Sequence, residues 1–153
     1  MENLRVGVVG AGAIGRDHIR RIQQVTQGAV VTAVSDINEE GGRKVAEQWG
    51  ATFFADGEEM IRSDLVDAVV ITTLDEFHEQ YAVAAIRAGK YVLCEKPLAP
   101  DAASCQRIMQ AEMDGGKKLL QVGFMRRYDA GYRELKRIVT EKQYGEPLML
   151  HCA

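Results

Sequence analysis

Short runs that are apolar at nearly every position alternate along this chain with stretches whose apolar residues recur every three or four positions. The runs are Leu4–Gly10, Val30–Asp36, Thr52–Ala55, Asp67–Thr73, Tyr91–Pro97 and Leu119–Met125, most of them rich in Val and Ile. Strands apolar on both faces belong to a parallel sheet covered by helices. Between the runs, Ala13–Thr26 predicts a helix with Ile14, His18, Ile22 and Val25 on one stripe. His78–Ala88 predicts another, with Tyr81, Ala82, Ala85 and Ile86 as its apolar face and Gly89 as its stop. Strand–helix alternation of this kind gives an α/β fold with a doubly wound parallel sheet.

The pattern changes after Met125. A basic-aromatic cluster, Arg126-Arg127-Tyr128-Asp129, leads into a helix expected from about Gly131 to Lys142, then a turn at Tyr144–Pro147. A last apolar run, Leu148–Cys152, reads as a strand that starts where the chain stops. The expected division is therefore 1–125 as a dinucleotide-binding domain and 126–153 as the beginning of a second, α+β domain whose rest is absent. An unpaired strand there would pair between two copies and make the chain a dimer.

Composition adds exclusions. The 153 residues are 46% apolar and 27% charged, which is globular. With 22 acidic and 19 basic residues the formal charge is −3, a poor match for nucleic acid or an anionic membrane. Cys94, Cys105 and Cys152 are odd in number and far apart, so neither a disulfide framework nor a metal site is expected. No run reaches the length of a membrane helix and no signal sequence precedes the first strand, which predicts a cytoplasmic location.

Candidate chemistry sits at the ends of the predicted strands, where ligands bind in open α/β sheets. Gly10-Ala11-Gly12-Ala13-Ile14-Gly15 is G-x-G-x-x-G, placed between a strand and a helix as a dinucleotide turn requires. Gly10 allows the tight turn, Gly12 lets a pyrophosphate approach, and Gly15 lets the helix pack on the strand. Asp36 closes the second strand, about 20 residues beyond Gly15, where a carboxylate accepts from ribose hydroxyls and repels a 2′-phosphate. Neither Ile37 nor Asn38 offers an arginine for that phosphate, so the cofactor expected is NAD rather than NADP. Asp36 as a mere helix cap for Glu39–Gln48 is the alternative.

Two further strand ends are polar. Thr72-Thr73-Leu74 ends one, with His78 just beyond; Cys94-Glu95-Lys96-Pro97 ends another. Lys96 facing a cofactor cleft would be partly desolvated and suited to proton transfer; the competing reading is a solvated loop lysine. His78, in the first turn of a helix, reads more readily as structural than as catalytic, and His18 as a packing histidine.

Together, Gly10–Gly15, Asp36, Thr72–His78 and Glu95-Lys96-Pro97 resemble the N-terminal half of the Gfo/Idh/MocA oxidoreductases, which pair a Rossmann domain with an α+β domain. Gly89–Leu98, Val122–Asp129 and Gly145–Ala153 resemble the inositol branch of that family. The resemblance implies NAD-dependent oxidation of the axial C2 alcohol of myo-inositol to 2-keto-myo-inositol (scyllo-inosose), with NAD⁺ becoming NADH. It implies Lys96 as the catalytic lysine, which would also touch substrate, and Arg126 as a substrate-pocket arginine, against the alternative of a surface arginine beside Arg127. Cofactor contacts would come from Gly10, Gly12, Ala13, Ile14, Gly15, Asp36, Ile37, Thr72, Thr73, Leu74, His78, Glu95 and Lys96. A cis Lys96–Pro97 bond is also expected. The family's relay aspartate and histidine stand in a D-x-x-x-H motif that His18, His78 and His151 do not form. The isolated chain is therefore expected to be inactive, and the parent enzyme to be a homotetramer. The alternatives are a dehydrogenase of another polyol or sugar, and a non-catalytic NAD-binding module.

Overall fold

The computed structural model describes residues 2–149, which divide into two compact units that part between Gly123 and Phe124. The first unit runs β1 (Leu4–Val9), α1 (Ala13–Gln24), β2 (Ala29–Ser35), α2 (Glu39–Trp49), β3 (Thr52–Phe54) and α3 (Gly57–Arg62). It continues with β4 (Ala68–Ile71), α4 (His78–Arg87), β5 (Tyr91–Cys94), α5 (Ala102–Gly115) and β6 (Leu120–Val122). Its six strands lie in the order β3-β2-β1-β4-β5-β6 with every ladder parallel. The chain thus starts at the middle of the sheet, winds out to β3, and returns to wind the other way from β4. Loops leaving β1 and β4 diverge to opposite faces and open a crevice between them.

Side chains alternate across the strands and feed two cores. Val6, Val8, Val31 and Val34 meet Ile19 of α1 and Val45 and Ala46 of α2 on one face. Val9, Val69, Ile71 and Val92 meet Met60 and Ile61 of α3, Ala82, Ala85 and Ile86 of α4 and Ile108 of α5 on the other. Each fully buried Val or Ile contributes about 1.5–3 kcal/mol of transfer free energy. These cores hold the strand ends in register, and with them the functional loops.

Two helix expectations resolve differently. For α4, Ala82, Ala85 and Ile86 are buried and Tyr81 is half-buried, as the periodicity predicts. Gly89 follows at φ +72°, its N–H donating to Ile86 O and that of Lys90 to Ala85 O, the bond pair of a Schellman stop. For α1, the expected stripe is one position off. Gly15 and Ile19 are buried, whereas Ile14 is 55% and Val25 is 70% exposed. The close approach of Gly15 to the β1 turn rotates the helix so that Ile14 faces outward, and Val25 lies past the helix end.

In the second unit a 3-10 turn, Met125–Arg127, precedes α6 (Ala130–Thr140), whose N-terminus is capped by the Asp129 carboxylate accepting from Tyr132 N at 3.1 Å. Pro147, Leu148 and Met149 form no strand. The rest of the expected last strand lies outside the described residues, as do His151 and Cys152.

Candidate cofactor-binding site

The turn from β1 into α1 depends on its glycines for different reasons. Gly10 stands at φ +93°, and a Cβ there would lie 2.8 Å from the backbone carbonyl of Thr72. A Cβ on Gly15 would run into the carbonyl oxygen of Gly10, so only glycine lets α1 sit this close to the strand end. Gly12 differs: nothing lies within 4 Å of the Cβ it lacks. It is the N-cap of α1, and no side chain caps the helix there. Unpaired N–H groups and the positive end of the helix dipole thus face open space, the environment a diphosphate needs. The Thr72 hydroxyl donates to Gly10 O at 2.6 Å, and Arg16 Nε donates to Ala11 O at 2.9 Å, fixing the turn from both sides.

Asp36 ends β2 beside that turn. Its carboxylate accepts from Ala11 N at 2.5 Å and from Asn38 N at 2.7 Å. The cap of α2 is Asn38, whose side chain accepts from Gly41 N at 3.0 Å, so the helix-cap reading of Asp36 gives way. A carboxylate carries about four lone-pair sites. Those left over on Asp36 can accept from further donors.

These groups share one cavity of about 510 Å³. Gly10, Gly12, Ala13 and Ile14 line it from the first loop, Asp36 and Ile37 from the second, and Thr72, Thr73 and Leu74 from the loop after β4. Its apolar walls are open to solvent: Ile37 is 95% and Leu74 is 66% exposed. Flat apolar surface beside a phosphate cradle suits an adenine ring, which stacks on such side chains. Phe77 and Tyr81 complete the wall and were not anticipated. Tyr81 carries the signal in hindsight, because it precedes the fully buried Ala82 on the margin of the α4 stripe. Burial pushes its hydroxyl pKa up, with Asp56 and Glu58 adding to the shift.

The end of β5 is held by two histidines. His78 is 1% exposed and outside the cavity lining. Its Nδ1 lies 2.8 Å from Pro97 O and its Nε2 lies 3.1 Å from Thr73 O. It ties together the loops after β4 and β5, so its place is beneath the site rather than in it. His18 is half-buried, with Nε2 at 2.9 Å from Glu95 Oε1, a contact that apolar periodicity could not suggest. The Lys96–Pro97 peptide is cis. Lys96 itself is exposed, so the described residues do not supply the desolvation expected of it. Beneath it Cys94 is a buried free thiol, pushed up to about 12 by burial and by the neighbouring Glu95 carboxylate. Arg126 belongs to the second unit, where it lies 3.6 Å from Asp129 and stacks over the Tyr132 ring at 4.9 Å. Among the described residues no cluster of His, Cys, Asp or Glu could hold a metal ion, and no helix is long and apolar enough to cross a membrane.

Residues 4–124 match the Gfo/Idh/MocA family, described as an oxidoreductase family with an NAD-binding Rossmann fold. The chain belongs to that family. Its glycine turn, Asp36 and the cavity between them are therefore parts of an NAD-binding Rossmann fold. Among curated relatives, an inositol 2-dehydrogenase of Klebsiella pneumoniae is 53% identical over 153 residues, covering 99% of this chain and 45% of the relative. An inositol 2-dehydrogenase of Acidiphilium cryptum is 56% identical over 152 residues, covering 98% and 45%. Among solved structures, myo-inositol dehydrogenase from Lactobacillus casei in complex with NAD(H) and myo-inositol superposes with a TM-score of 0.91 at 37% identity, covering 95% of this chain and 44% of that one. The chain thus spans a little under half the length of these relatives.

Proposed function

We propose that this chain is the NAD-binding portion of an oxidoreductase that oxidises the C2 alcohol of myo-inositol to 2-keto-myo-inositol, with NAD⁺ reduced to NADH. The observation that carries the reading is the single cavity joining an uncapped helix N-terminus at Gly12, the Asp36 carboxylate and exposed apolar walls, with Lys96 at the end of a neighbouring strand. The relatives named above support inositol as the substrate class.

Gly10, Gly12, Ala13, Ile14 and Gly15 would cradle the pyrophosphate; Asp36 and Ile37 would hold the adenosine ribose and ring. Thr72, Thr73 and Leu74 would line the middle of the cofactor, while His78 supports them from below. When bound, NAD⁺ supplies the acceptor for the two electrons and the hydrogen leaving C2. The protein's task is to place the alcohol and manage its proton. Lys96 accepts the hydroxyl proton, or as an ammonium offsets the developing alkoxide charge. Glu95 holds the backbone next to it. Arg126 offers several donors to a polyol's hydroxyls. Residues 126–153 belong in this reading to the start of a second domain that supplies the relay partners of Lys96, so the 153 residues alone do not turn over.

Fusing residues 1–153 to the remaining sequence of an inositol-dehydrogenase relative tests the reading, with circular dichroism to establish folding. NADH formation with myo-inositol, none from the 153 residues alone, and little with glucose or xylose is the expected outcome. A reversed preference would move the substrate to another polyol or sugar. A folded fusion that binds NAD⁺ and oxidises none of these would favour a non-catalytic module.

A further inference from the structure

Lys96 Nζ makes no hydrogen bond among the described residues, and its side chain is exposed, yet the backbone that carries it is tied down. Glu95 does the tying with both carboxylate oxygens. Oε2 accepts from the Lys96 backbone N–H at 3.2 Å, and Oε1 faces His18 Nε2 at 2.9 Å. His18 and Glu95 are each about three-quarters buried, at 25% and 22% side-chain exposure, so this pair is shielded from the competition with water that weakens surface pairs. His18 stands on α1, one turn beyond Gly15. The phosphate cradle and the lysine are thus joined by a three-part link: Gly12 to His18 along the helix, His18 to Glu95, and Glu95 to the Lys96 amide.

We propose that His18 is a positioning residue, acting through Glu95 to fix the distance between the glycine cradle and Lys96. The assignment rests on the reading of Lys96 and of the cofactor cavity given above. A helix carries this link more rigidly than a loop would, because α1 cannot lengthen. The Glu95 carboxylate, a natural candidate for a cofactor contact from sequence, has both oxygens engaged inside the protein. Its first role is to transmit the position of α1 to the next residue along.

The test uses this chain with His18→Ala and His18→Gln, a glutamine amide still being able to donate to Glu95. The first readout is amide hydrogen exchange at Lys96 by NMR, compared with amides of the β1 and β4 core. Protection of the Lys96 amide is expected to fall roughly tenfold in His18→Ala, in keeping with the loss of one charge-assisted hydrogen bond, and to return in His18→Gln, with core amides unchanged. The second readout is affinity for NAD⁺ against ADP-ribose, which lacks the nicotinamide. His18→Ala should weaken NAD⁺ about two- to tenfold and leave ADP-ribose within twofold. Unchanged protection at Lys96 overturns the proposal, and so does an equal loss of both ligands. If the unsubstituted chain binds neither ligand, the cofactor reading has failed instead, and the exchange pattern alone decides whether His18 positions Lys96.

Discussion

The two halves of the doubly wound sheet present their strand ends in different states. At the ends of β1 and β2 the groups are already in place. Gly10 is packed on Thr72, Ala11 donates to Asp36, and the helix N-terminus at Gly12 is open. At the ends of β4 and β5 the backbone is equally fixed, through His78 to Thr73 and Pro97 and through His18 to Glu95, but the Lys96 side chain is exposed. A binding site needs a rigid surface that a ligand can reach, and the first half, with the loop after β4 as its far wall, meets that need. A proton-transfer group, the role proposed for Lys96, needs a controlled environment, and the described residues give Lys96 a fixed root without one. Affinity and chemistry are therefore separable here.

Substitution of the lysine should separate them most widely. In an active fusion, Lys96→Ala should lower turnover by about 10²- to 10⁴-fold, the usual contribution of a general acid or base. Affinity of the same protein for NAD⁺, read by calorimetry, should fall by no more than about tenfold, the scale of one hydrogen bond. Loss of affinity in parallel with turnover would merge the two halves.

Within the first half the glycines sharpen the contrast between fold and ligand. Gly15→Ala should destabilise the chain by about 1–3 kcal/mol or more in denaturant titrations, because the added methyl meets the Gly10 carbonyl. Gly12→Ala meets nothing and has an ordinary φ of −69°, so its stability should move by no more than about 0.5 kcal/mol. Its affinity for NAD⁺ should nonetheless fall sharply, as the methyl occupies the diphosphate's approach. If Gly12→Ala binds normally, the cradle is elsewhere.

The smallest effect lies at the N-terminal ends of the central strands β1 and β4, opposite the site. Arg5 forks onto Asp67 through Nη2 at 2.6 Å and Nε at 2.9 Å, and these bonds, with the Arg5 backbone N–H, hold the carboxyl pKa down at about 2 against an ordinary 3.8. A carboxyl depressed by folding stabilises the fold at neutral pH and loses that contribution as pH falls from about 4 to about 2. The pair is half-exposed, so the change should be slight. Asp67→Asn should flatten that part of the stability–pH curve and leave NAD⁺ binding untouched. A change in binding would show that the two ends of the strands are coupled.

Much of this arrangement is legible in the sequence, for identifiable reasons. Runs such as VGVV and AVVI admit only strands buried on both faces, and alternation with helices leaves parallel ladders as the consistent arrangement. The glycine turn is readable because Gly10 and Gly15 answer local steric demands, while Gly12 keeps the approach to the helix N-terminus open. Ile14 and Val25 stand exposed although the apolar spacing places them on the stripe, since a tertiary contact at Gly15, not apolar periodicity, sets the rotation of α1 and Val25 lies past its end. The His18–Glu95 contact joins residues 77 positions apart, and the His78 bridge answers two backbone carbonyls, neither of which leaves a sequence pattern. Phe77 and Tyr81 are legible as apolar, but their turn toward the cavity is not.

Calorimetric titration of the chain with NAD⁺ and with NADP⁺, repeated on Asp36→Asn, tests the central claim most directly. NAD⁺ should bind and NADP⁺ should bind far more weakly, with the gap narrowing once the Asp36 charge is gone. Equal binding of the two by the unsubstituted chain, or an unchanged gap in the variant, would contradict the role given to Asp36; binding of neither would contradict the site.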